Sequence, residues 1–164
     1  MSPPPARPAP DPLLEGRDEG AVPALDAERD VAAEALLEQA LTTARAAHPE
    51  IAIPGARFLE HLAAKLPAGS PPQALAALHT ADLYLACACA LRDPAALATF
   101  ELTFAAEYRA VLARLRGPKP DPDDFRQLCR EKLFASERPK IADYSGAGPL
   151  HAWLRVTLTR TLLD

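Results

Sequence analysis

An all-α fold, a compact helical bundle of about six helices preceded by a disordered Pro-rich tail, is predicted by three features of this 164-residue chain. Between its prolines the segments are rich in Ala and Leu and repeat their apolar residues every three or four positions, the period of a helix. No segment alternates apolar and polar residues as a half-buried strand does. Seven of the 18 prolines fall within residues 1–25, where large apolar residues are scarce, so burial there cannot offset the entropy of ordering. The length suits one packed domain, or one domain and a tail.

Taken in order, Asp26 can cap a first helix that runs to about His48, with Val31, Leu36, Leu37, Ala40 and Leu41 inward. Pro54 opens a short helix through Phe58, Leu59 and Leu62, closed by Pro67, Gly69 and Pro71. Gln73 to Arg92 forms the next, on a stripe of Leu75, Leu78, Ala81, Leu85 and Cys89. Asp82 lies at the edge of that stripe, which implies incomplete packing or a partner such as His79. Asp93-Pro94 joins an N-cap to proline at the first helical position, and the stripe that follows is Leu97, Phe100, Phe104, Tyr108, Val111 and Leu115. Those aromatics are assigned to packing, and Gly117-Pro118 ends the helix. Asp121-Pro122 repeats the start signal; Asp123 and Asp124 complement the positive helix end, and Phe125, Leu128, Cys129 and Leu133 face the core. Ala135 to Gly148 has no helical period and reads as an ordered loop of about 14 residues, a length that is usually functional or disordered. Pro149 starts the last helix, with Leu150, Trp153, Leu154, Thr157, Leu158 and Thr161 on one face; Trp153 packs the loop against the bundle.

The net charge of −4 is unevenly spread: residues 1–100 hold 7 Lys/Arg against 13 Asp/Glu, residues 101–164 hold 11 against 9. From Phe125 to Arg160 the basic residues are Arg126, Arg130, Lys132, Arg138, Lys140, Arg155 and Arg160, against Glu131, Glu137 and Asp143. Such a face permits a nucleic-acid partner without demanding one. Three cysteines, Cys87, Cys89 and Cys129, make no disulfide framework and no CxxC pair, which suits a reducing cytoplasm. Cys87 and Cys89 diverge by about 200° on a helix and His79 has only Asp82 at helical spacing, so no metal site is expected. The chain has no Gly-rich phosphate loop, GxSxG or HExxH, and no cysteine with a plausible histidine base. Neither catalysis nor a cofactor is expected. No apolar run approaches the roughly 20 residues of a membrane span, and no secretory leader is evident. A cytoplasmic protein without membrane contact is expected.

One stretch stands apart. Asp123, Asp124, Phe125 and Gln127 lead to the pair Leu133-Phe134, then a loop, then Gly148, Leu150, Trp153, Leu154 and a closing Asp164. In that order and spacing, over about 42 residues, it resembles region 2 of bacterial RNA polymerase sigma factors of the extracytoplasmic-function type. The helix from Phe100 to Leu115 fits the one that precedes these motifs, so the likeness covers residues 95–164. The resemblance implies a domain that docks on the clamp coiled coil of core RNA polymerase and captures the melted non-template strand of the promoter −10 element. It assigns polymerase contact to Asp124, Gln127, Arg130 and Glu131, and DNA contact to Arg138, Lys140, Tyr144, Ser145, Gly146, His151, Arg155 and Arg160. Cations to track phosphates, with a pocket or aromatic face for a flipped base, are what a single strand needs, and Tyr144 is the candidate ring.

Two departures stand out: Thr161 follows Arg160 where the family has Asn after its basic residue, and residues 1–164 include no counterpart of the family's helix-turn-helix domain. The chain then reads as a piece of a longer protein or as a one-domain relative. On this basis residues 1–25 are a tail, 26–92 an N-terminal helical extension and 93–164 the sigma region 2-like domain. The extension looks like one helical hairpin of the tetratricopeptide sort and is expected as an added helical layer that serves as a partner-docking or regulatory surface, its negative charge able to cover the basic face and restrain DNA binding. The alternative is a helical protein–protein interaction or regulatory module without DNA binding.

Overall fold

The computed structural model describes residues 21–163, and the side chains from Glu28 onward. The expected tail lies outside the described residues, except for 21–25, which are helical. Six α-helices make up the described bundle: α1 (Ala21–Ala47), α2 (Gly55–Ala63), α3 (Thr80–Ala90), α4 (Pro94–Arg114), α5 (Pro122–Arg130) and α6 (Leu150–Leu163). Short 3-10 turns at Pro72–Ala77 and Lys140–Asp143, and a π turn at Glu131–Ala135, complete it. The all-α expectation holds, and no described helix is long and apolar enough to cross a membrane.

α1 is already helical at Ala21, the first described residue, so Asp26 lies inside the helix and not at its cap. Val31, expected inward, is 66% exposed: residues 28–35 run almost wholly in solvent, and only from Leu36 onward does α1 meet the core, with Ala44 fully buried.

The helix expected over Gln73–Arg92 is broken at Leu78–His79. Leu78 is extended (ψ 143°), and the His79 N–H donates to the distant Gly146 carbonyl at 2.9 Å. A tertiary bond thus takes the place of the helical one. Beyond the break, α3 carries no single stripe: every residue from Leu83 to Cys89 is buried, against α1, α2, α4 and the 140–143 turn. A helix apolar on all sides belongs at the centre of a bundle. Around it one continuous core runs from Ala44 and Phe58 to Phe134, Tyr144 and Leu158. Residues 26–92 and 93–164 therefore share a core, and the first half, expected as an added layer, supplies in α3 the middle of the bundle.

α4 and α5 start as their Asp-Pro signals predict: Asp93 accepts from the Ala96 N–H at 2.8 Å, and Asp121 from Asp123 and Asp124 at 2.9 and 3.2 Å. Phe100 packs at a tilt against Phe104 and meets Phe134 edge-on, with centroids 4.7 and 5.1 Å apart. Leu112 takes the buried place expected of Leu115. Leu128, expected in the core, is 43% exposed. α5 seats Phe125 and Cys129 and then widens into the π turn, which buries the consecutive Leu133 and Phe134.

Candidate functional site

The loop from Ser136 to Pro149 is ordered around Ile141 and Tyr144, both buried. Tyr144 packs edge-on against Trp153 of α6, centroids 5.9 Å apart, so Trp153 does pin the loop to the bundle. The outer side of the loop, the π turn and the end of α6 enclose an open cavity of about 560 Å³. Its lining includes Lys132, Arg138, Lys140 and Arg160, with Ser136, Thr157 and Thr161. No described lining residue is acidic, although Lys140 Nζ is 2.7 Å from the exposed carboxylate of Asp143. An exposed pair of that kind contributes little to stability.

Three of the residues assigned to DNA, Arg138, Lys140 and Arg160, meet at this cavity. The others do not. Tyr144 is 1% exposed; its hydroxyl donates to the Gly148 carbonyl, and burial followed by the Asp82 carboxylate raises its pKa. The ring is closed to a base, which corrects the stacking role. Gly146 is buried in a left-handed turn (φ 77°), and a Cβ there would lie 2.4 Å from the Leu83 side chain. Its backbone serves packing and offers no DNA contact. Arg155 makes a two-pronged bond to Glu107 of α4, at 2.8 and 3.0 Å, which holds the Glu107 carboxyl below its usual range. That guanidinium ties α4 to α6. Ser145 and His151 are exposed but lie outside the cavity lining.

Lys132 and Ser136 line the cavity in addition to the residues that the resemblance assigns to DNA. An α-helical phase does not predict where Lys132 points, because it sits in the wider π turn. All five Phe and all three Tyr are buried and Trp153 is half-buried, so the surface presents no flat aromatic platform.

The residues assigned to polymerase form a second surface. Asp124, Gln127, Leu128 and Glu131 are exposed at spacings of three and four, on one side of α5 and its extension. Gln127 Nε2 donates to Glu131 Oε1 at 3.1 Å. Arg130 reaches Glu101 of α4 at 3.5 Å, beside a shallow cavity of about 340 Å³ lined also by Gln127 and Glu131. The three thiols are buried, and burial pushes Cys87 up to about 11 and Cys129 to about 12, which leaves them unreactive.

No family model matches this chain, and no curated protein or solved structure matches it either.

Proposed function

We propose that this chain is a non-enzymatic transcription-initiation module of the sigma type. It would hold core RNA polymerase through the exposed side of α5 and the non-template strand of a promoter −10 element in the cationic cavity, and so work in the cytoplasm. The observation that carries the reading is the cavity itself: the two segments that the resemblance assigns to DNA, the loop and the last helix, bring Arg138, Lys140 and Arg160 together around it. A volume of about 560 Å³ falls in the range of roughly 300–1,000 Å³ that holds small ligands, enough to admit a base. With every Phe and Tyr ring buried, phosphate contacts supply most of the affinity.

The test is capture of core RNA polymerase by the full chain, with anisotropy of a single-stranded −10 oligonucleotide across a salt series. Three or four phosphate contacts predict a log–log salt slope of about −2 to −3. Lys140→Ala and Arg160→Ala should each weaken binding and reduce that slope by about 0.7. Arg155→Ala should instead lower thermal stability and leave the slope unchanged. Folded protein that captures no polymerase and binds no strand would overturn the proposal in favour of an interaction module.

A further inference from the structure

The strand-facing loop is held from behind by the N-terminal half. Lys65 Nζ donates to the Ala142 carbonyl, the His79 N–H donates to Gly146, and Gly146 rests on Leu83. The contact that closes the loop belongs to Asp82. Its Oδ2 accepts the N–H of Leu150, the first residue of α6, at 2.8 Å across 68 positions of sequence. The same oxygen lies 3.5 Å from the Tyr144 hydroxyl, which is itself bonded to Gly148. A helix start needs an acceptor for its first N–H groups, and Gly148-Pro149 has no side chain that can provide one. α3 provides it, and sets a negative charge at the positive end of α6.

We infer that Asp82 is a positioning residue: it fixes the 136–149 loop against the start of α6, and with it the distance between Arg138 and Lys140 on one wall of the cavity and Arg160 on the other. The geometry is independent of the proposed function, while the consequence for strand binding rests on it. The inference gives the acidic half a task other than covering the basic face.

Asp82→Ala and Asp82→Asn, made in the full chain, test it through amide hydrogen exchange and the salt series with the −10 oligonucleotide. In the Ala variant the Leu150 and His79 amides should exchange about fivefold or more faster. The salt slope should become shallower, because the cations no longer engage the strand together. Asn keeps an acceptor oxygen and should restore most of both. A merely structural role would lower the melting temperature and leave the slope of the folded protein unaltered. If Asp82→Ala does not fold, Asp82→Ser, one bond too short to reach Leu150, is expected to behave as described for Ala. Unchanged Leu150 exchange, or an unchanged slope in a folded Ala or Ser variant of a protein that binds the strand, would overturn the inference. If the wild type binds no strand, the proposed function fails, and the exchange data still decide the positioning role.

Discussion

Arg92 occupies a conformation that side chains avoid. It lies just past α3 with φ 60°, in a motif where its N–H donates to Cys89 and the Asp93 N–H donates to Ala88. Glycine is the usual residue there, because a Cβ in the left-handed region costs roughly 1–2 kcal/mol. The compensation is the guanidinium, whose Nη2 donates to the Ala135 and Ser136 carbonyls at 3.0 and 3.5 Å, where the π turn ends. Arg92→Ala loses those bonds and keeps the strain; Arg92→Gly loses the bonds and the strain together. Urea unfolding should find the Gly variant more stable than the Ala variant by about 1 kcal/mol. An Ala variant as stable as Gly would show that the left-handed turn is not under strain. Arg92 and Arg155 illustrate the same point, that a cation's role depends on the group it meets. In sequence both are surface-type charges; in the fold one ends the π turn and the other clamps two helices.

At the scale of an element, α5 shows how far local chemistry reaches. Its start is written in Asp121-Pro122 and in the acidic residues at the positive helix end, and Phe125 and Cys129 are buried as their spacing requires. Leu128 follows the same spacing yet faces water, because α4 packs against only a narrow side of this short helix before the π turn redirects the chain. An exposed leucine between Asp124, Gln127 and Glu131 suits a partner-facing surface. Leu128→Ser should therefore change stability by no more than about 0.5 kcal/mol, whereas Phe125→Ala should cost about 3–5 kcal/mol. Thermal melts check both, and, under the proposed function, polymerase capture should drop for Leu128→Ser with the fold intact. A large loss of stability for Leu128→Ser would place that side chain in the core after all.

For the whole molecule, the packing around α3 decides what can be separated. Cutting after Arg92 would remove the buried helix against which α4 and the 140–143 turn pack, and would leave α6 without its cap from Asp82. Residues 93–164 alone are thus expected to lack a cooperative melt and fixed side-chain signals, while 21–164 should melt in a single transition. Circular dichroism and proton NMR on the two chains check this. A cooperative melt of the shorter chain would restore the boundary that the sequence motifs place near Asp93.

By itself the sequence determined the helical class, four of the six helix starts to within a residue or two, the aromatic stripe of α4, the packing role of Trp153 and the cations of the last third of the chain. These follow from neighbours: period, proline, caps and composition act over one or two turns. Tertiary structure alone decided that α3 is the centre, that Tyr144 and Gly146 are buried, that Arg155 is paired with Glu107, and that Lys132 joins Arg138, Lys140 and Arg160 at one cavity. Each of those outcomes depends on contacts between distant parts of the chain or on an irregular π turn, and no helical period encodes which distant group a side chain will meet.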